Sequence, residues 1–289
     1  MNIKQFILLI RVPSLSATVV PLTIGAALSL HSGIFSSELW LDMFVAALFM
    51  QIGTNVFNEH GDYVNSTDRY ASHGFAGIIV KGEATPNEVL TVAIIFYILA
   101  ALLAVPLIIA RGLLVLVLGL ISAAVGVLYS EGPYPLSRTP LGEIIVGITM
   151  GFIEIVATEI VSIGMITISA YIVSVPVSLL VASILIGNNI RDIVKDREAG
   201  RRTLSVLLGG GYSRILFYSI IILSYIWLIV IYIYTARTAV LLTFLTLPFS
   251  LWALVFLKRK GWKYSVEIAS LIYLVYGIAL AVTLMIWRL

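Results

Sequence analysis

The sequence predicts an all-α polytopic membrane protein, with nine transmembrane helices around a central cavity and a cytoplasmic cap of loops. Three observations lead there. Hydrophobic residues make up 60% of the 289 and charged ones only 11%, with mean hydropathy +1.07, where a soluble domain carries about 25% charged residues. The apolar residues fall in long runs of about 20, the length that crosses a bilayer as a helix. Those runs show no period-2 alternation, which excludes barrel strands.

The spans are expected at about 14–31, 39–57, 89–110, 112–130, 141–162, 165–187, 212–235, 238–257 and 265–288. The chain opens without a short apolar segment followed by a small-residue cleavage site, so the first span is expected to stay. Pro106, Pro176 and Pro248 are expected to kink their spans, which membrane helices tolerate. Trp262 and Trp287 read as interfacial anchors, and Lys258 to Lys263 as a topology signal. Of 18 Lys and Arg residues, 15 fall in loops on the side of the N-terminus. The positive-inside rule makes that side cytoplasmic, and nine crossings put the C-terminus outside. The basic residues thus report membrane topology, and no nucleic-acid partner is expected. The lipid bilayer is the expected environment, in a multi-pass cell-membrane protein. There is no Cys, so thiolate metal sites and thiol nucleophiles are excluded.

Two inside loops are long and polar, from Asn58 to about Glu88 and from Asn188 to about Arg214. They follow the second and sixth spans. "IGTNVFNEHGD" (52–62) and "IGNNIRDIVKD" (186–196) share one register: Asn55 with Asn189, Asn58 with Asp192, Asp62 with Asp196. The register suggests a single transmembrane domain, 1–289, with an internal four-helix repeat of about 14–130 and 141–257.

Residues three, four and seven apart share a helix face. Asn55, Asn58 and Asp62 therefore point one way, and so do Asn188, Asp192 and Asp196. If the two faces meet, carboxylate and amide oxygens converge with only His60 nearby. Oxygen-only ligation suits Mg²⁺, which takes one or two carboxylates together with substrate phosphates. Lys81, Arg138, Lys195, Arg201 and Arg202 lie beside these acids. Carboxylates, Mg²⁺ and basic side chains together describe a diphosphate site. One D-x-x-x-D at a helix end is ordinarily a solvated face; two in register, both rich in Asn, are not. Inside span five, Glu159 is expected near the outer interface. Glu154 faces either the cavity or a structural partner, since an intramembrane acid marks one or the other.

These residues resemble a known family. "NVFNEHGDYVNSTD" (55–68) is similar to the first Asp-rich motif of the UbiA prenyltransferase superfamily, and "NNIRDIVKDREAGRRTLSVLLG" (188–209) to the second. The run DREAGRRTL, and "YSEGPYPLSRTPLGE" (129–143), resemble the 1,4-dihydroxy-2-naphthoate prenyltransferases of menaquinone synthesis. "IRVPSLSATVVPLTIGAAL" (10–28) is also similar, and nine helices is the family's number. The resemblance implies Mg²⁺-dependent transfer of a polyprenyl group from polyprenyl diphosphate to an aromatic acceptor. For dihydroxynaphthoate it implies attack at the carboxylated carbon with loss of CO₂, giving demethylmenaquinone.

It further implies metal contacts from Asn58, Glu59, Asp62, Asp68, Asp192 and Asp196, the four Asp being catalytic. Asn55, Asn58, Lys81, Tyr129, Tyr134, Arg138, Asn188, Asn189, Lys195, Arg201 and Arg202 become substrate-binding candidates. Where the family usually has Asp, this chain has Glu59. An Arg of the family falls near Gly77, leaving Lys81 to take over its contact. Tyr134 and Arg138 stand for a Tyr-x-x-x-Lys pattern. Asp68, Glu59 and Tyr129 remain open as general base. Another acceptor, or a terpene cyclase of the same superfamily that uses none, would employ the same acids. A transporter would place its polar site at the bilayer midplane instead.

Overall fold

The computed structural model describes residues 3–65 and 77–286. Asp68, expected at the metal, and Trp287, expected as an interfacial anchor, lie outside them. Ten helices follow in order: α1 (Ile3–Ile10), α2 (Ser16–Ser29), α3 (Ser37–Val64), α4 (Pro86–Arg111), α5 (Leu113–Leu128), α6 (Gly142–Ile163), α7 (Ile168–Glu198), α8 (Leu204–Thr235), α9 (Thr238–Lys260) and α10 (Ser265–Met285). Among the described residues, eight stretches are long and apolar enough to cross a membrane, the first joining α1 to α2 over Ile3–Ser32. The 16-residue α5 is apolar but shorter. These helices correspond in order to the nine expected spans; α1 is additional.

Local chemistry sets the ends. Ser36, Thr85, Thr167 and Thr203 cap α3, α4, α7 and α8, each accepting a backbone N–H from the third residue on. At α4, Glu88 bonds back to Thr85 and completes a capping box. Pro106 and Pro176 lie inside α4 and α7. Pro248 lies in the first turn of the α-helical part of α9, after a 3₁₀ stretch from Thr238 to Thr246.

α3 packs along α4, and α7 along α8, forming two hairpins at matching places in the chain. α2, α6, α7 and α10 form the main core, with Tyr273 and Tyr276 its largest fully buried side chains. α6 contains a π-helical turn, Gly147–Ile153, laid against α7. Gly147 and Gly151 make that approach possible, because a Cβ on Gly151 would fall 2.3 Å from Ser178 Cα.

The polar ends of the chain gather on one side. α3 and α7 have 28 and 31 residues, so at 1.5 Å per residue α3 is about 42 Å long, longer than a hydrocarbon core of about 30 Å. Their surplus turns carry both motifs. The expected loop from Asn188 to Arg214 is therefore mostly helix: α7 runs on to Glu198, and α8 begins at Leu204 with a non-helical Gly209 (φ 76°). At the opposite end, Glu159 is buried and accepts from Thr167 N–H at 2.6 Å and Thr167 Oγ1 at 2.7 Å. It thereby ties α6 to the start of α7. Trp262 packs under Arg214 at the polar end.

Candidate active site

A cavity of about 790 Å³ lies inside the bundle. Along α3 it is lined from Met43 to Asp62, about 28 Å at the helical rise. Its far part is walled by residues such as Met43, Leu107, Leu118, Ile153 and Val181. Its near end carries Arg11, Asn58, Asp62, Tyr129, Asn188 and Arg201. Six of the residues expected at the site line it: Asn55, Asn58, Asp62, Tyr129, Asn188 and Arg201.

The first motif enters on α3. Asp62 faces the cavity half-buried, and no donor among the described residues bonds to it. Its electrostatic neighbours are Arg11, Arg201, Glu59 and Arg138. Asn58 Oδ1 accepts from Ser130 Oγ at 2.7 Å. Gly61 lets this end of α3 press on the following loop, since a Cβ there would lie 2.4 Å from the Ser130 carbonyl oxygen. Asn55 is buried one turn deeper. Its Nδ2 donates to Ile10 O at 2.8 Å and Ser14 Oγ at 2.9 Å, which fastens α3 to the chain between α1 and α2.

The second motif enters on α7. Asp196 is buried and neighbours both Asp192 and Asp62 electrostatically, and Asn188 lines the same cavity as Asn58 and Asp62. Arg201 ties the second motif to the loop after α5: Nη1 donates to Asp196 Oδ1 at 3.1 Å and Nη2 to Ser137 O at 2.8 Å. Asp196 Oδ2 is buried without a hydrogen-bond partner among the described residues. Arg191 pairs with Asp192 and also bonds Asn188. Arg138 Nη2 donates to Ala199 O at 2.8 Å, and Arg202 N–H donates to Arg138 O at 2.9 Å. Those two bonds lock the loop after α5 to the end of α7.

Several expected residues stand elsewhere. Glu59 is not a wall of the cavity: its oxygens accept from the N–H groups of Gly77 (3.1 Å), Ile78 (2.6 Å) and Ile79 (3.4 Å). Its extra methylene reaches a backbone turn, not the metal face. Asn189 is buried and donates to Glu143 Oε1 at 2.7 Å. Adjacent helix positions lie about 100° apart, so Asn188 faces the cavity and Asn189 does not. Tyr134 is 87% exposed, at the crest of its loop. Lys81, Arg138, Asp192, Lys195, Asp196 and Arg202 also lie off the cavity wall, and Lys81 and Arg202 are exposed.

Other lining residues were not foreseen. Arg11 follows α1 in the left-handed region (φ 52°), with Nη2 4.0 Å from Glu59 Oε2. Glu267 reaches the mouth from the start of α10. Neither belongs to an Asp-rich motif; only the packing of α1 and α10 brings them in. Glu154 lines the cavity and accepts from Thr18 Oγ1 at 3.1 Å, so both expected alternatives hold together. Burial pushes the Tyr129 phenol up to about 12, against the pull of Arg201 and Arg11. At neutral pH it is a hydrogen-bonding phenol and not a base.

The donor set fits a hard divalent cation. Among the described residues no cluster of three or more Asp, Glu or His side chains could hold a metal alone. A cation that keeps waters and takes phosphate oxygens needs only one or two carboxylates. Asp62, open to the cavity, and the unpartnered Asp196 Oδ2 supply them.

Comparison with known proteins agrees with this architecture. Residues 18–274 match the UbiA prenyltransferase family. The 1,4-dihydroxy-2-naphthoate octaprenyltransferase of Bacillus subtilis (strain 168) is 33% identical over 241 residues, 83% of this chain and 78% of its own. The UbiA prenyltransferase domain-containing protein 1 of Homo sapiens is 28% identical over 225 residues, 77% of this chain and 66% of its own. In fold, the chain is similar to a UbiA homolog from Archaeoglobus fulgidus bound to GPP and Mg²⁺. There the TM-score is 0.69 at 17% identity, covering 96% of this chain and 99% of that one. The chain belongs to the UbiA prenyltransferase family.

Proposed function

We propose that the protein transfers a polyprenyl group from a polyprenyl diphosphate to 1,4-dihydroxy-2-naphthoate, using Mg²⁺ at the polar end of the cavity. The observation that carries this reading is the junction of the two motifs. Asp62 on α3 and Asp196 on α7 are electrostatic neighbours, both near Arg201, which bonds Asp196, at the polar end of an apolar chamber. The acceptor follows from the likeness to the Bacillus subtilis enzyme and from the loop 129–143.

Asp62 and Asp196 would hold the metal, with Asp68 and Asp192 as further ligands. Asn58 is held by Ser130 within reach of the same end. The chemistry that Mg²⁺ supplies when bound is neutralisation of charge on the leaving diphosphate. Arg201 and Arg11 add fixed positive charge there, and it stabilises most as the C–O bond breaks. The C–O electron pair leaves with the diphosphate. The allylic cation that remains is shielded from water by the apolar wall. The ring carbon bearing the carboxylate attacks it, and the C–CO₂ electron pair returns to the ring as CO₂ departs. The product is the prenylated dihydroxynaphthalene. The tail lies along Leu107, Leu118 and Ile153, away from the charged end. The 15 of 18 basic residues on the motif side orient that side to the cytoplasm of a cell membrane.

The test is mass spectrometry of products from the purified protein, Mg²⁺, dihydroxynaphthoate and a series of prenyl diphosphates. The reading expects a prenylated, decarboxylated naphthalenediol. A prenyl diphosphate consumed at the same rate without acceptor, yielding only terpene products, would contradict it.

A further inference from the structure

The Asp192 carboxylate is engaged by its own neighbour. Arg191 Nε donates to Asp192 Oδ1 at 3.1 Å, and Nη2 donates to Asp192 Oδ2 and, at 2.6 Å, to Asn188 Oδ1. One guanidinium therefore covers three oxygens, two on Asp192 and one on the cavity-lining Asn188. Among the described residues, all the hydrogen bonds of its side chain go to these two residues. Arg201, by contrast, is anchored to Ser137 on another segment. The Arg191 and Asp192 side chains are 17% and 22% exposed, so the pair can reopen without unfolding. Glu267, at the cavity mouth, is a further electrostatic neighbour of Arg191.

A divalent cation drawn to these three oxygens would sit against the guanidinium that now covers them. We infer that Arg191 is a positioning residue that stands in for the metal on Asp192 and Asn188, and passes to the diphosphate when metal and substrate arrive together. The inference rests on the Mg²⁺-diphosphate reading above. Metal alone would strand the guanidinium beside a second cation. Diphosphate alone would take Arg191 and leave Asp192 without a counter-ion. Only the double exchange keeps every charge matched: carboxylate to metal, guanidinium to phosphate. A planar fork suits both partners bidentately. Metal and diphosphate must then bind cooperatively, each tightening the other by the same factor.

The experiment is an electron paramagnetic resonance titration of Mn²⁺ on the purified full-length protein, with and without geranyl thiolodiphosphate. Chelation in solution is subtracted with a protein-free blank. For the native protein the thiolodiphosphate is expected to tighten Mn²⁺ by at least about tenfold, within the usual range of coupling. Arg191→Gln should bind Mn²⁺ alone more tightly than the native protein does, and the enhancement should shrink to about twofold. Arg197→Gln removes one charge from an exposed site on the same helix end and should keep the tenfold enhancement. Arg191→Lys, which keeps the charge but not the fork, is the second arm should Arg191→Gln fail to fold; it too should lose enhancement. Full native enhancement in the Arg191 variants, or an equal loss in Arg197→Gln, overturns the inference and leaves the metal site standing. A native protein that binds Mn²⁺ under neither condition overturns both.

Discussion

Glu59 and Tyr129 show what single residues reveal and hide. As text, Glu59 extends an acidic motif and reads as a metal ligand. Folded, its carboxyl group is clasped by the three N–H groups of 77–79. Glu59→Asp keeps the charge but withdraws the oxygens by one methylene. It should lower stability by about 1–3 kcal/mol, the cost of leaving buried groups unbonded. Thermal unfolding in detergent checks this, and an unchanged midpoint would show that the turn does not depend on the clasp. Tyr129 keeps its proton until pH rises toward about 12, because burial disfavours the phenolate. Tyr129→Phe should therefore leave the shape of the pH–rate profile between pH 6 and 9 unchanged. Loss of its alkaline limb in the variant would mean that Tyr129 does act as the base. Asp62, Asn58 and Arg201 were legible because their types and spacing already state their chemistry. Arg11 and Glu267 were not, because nothing local to either predicts its neighbours.

At the scale of elements, the long apolar spans were readable because a bilayer demands a length that few other structures need. The eight-residue α1 was too short to register. The segment 188–214 looked like loop because polar composition does not separate a water-exposed helix from a turn. Capping by Thr203 and the break at Gly209 are what divide it. The π-turn of α6 is likewise a matter of packing. Gly151→Ala would press a methyl group against the Ser178 backbone, 2.3 Å from Cα and 2.6 Å from N. Backbone on both sides leaves little room to yield, so a loss of about 1–3 kcal/mol or more is expected. A chemical or thermal denaturation series on Gly151→Ala and, as a surface control, Gly210→Ala reads it. Gly210 has open space around it and Ala favours a helix over Gly, so Gly210→Ala should lose nothing, and an equal loss there would show that the contact is not the cause.

Across the whole molecule, the two hairpins repeat a plan. The shared register of 52–62 and 186–196, and the meeting of Asp62 with Asp196, are why we propose one transmembrane domain built from two four-helix units. The lack of Cys makes the orientation testable with single introduced thiols. Glu83→Cys and Glu198→Cys should react with an impermeant maleimide from the cytoplasmic side only, and Met165→Cys from the opposite side only. Reaction of the first two from opposite sides would separate the motifs and dissolve the site. The most direct measurement is a structure of the protein with Mn²⁺ and a prenyl thiolodiphosphate. The account predicts a metal signal between Asp62 and Asp196, the diphosphate beside Arg201, and the tail running past Leu107 and Leu118 into the apolar chamber. A metal bound elsewhere, or a tail directed out of the polar mouth, would contradict it.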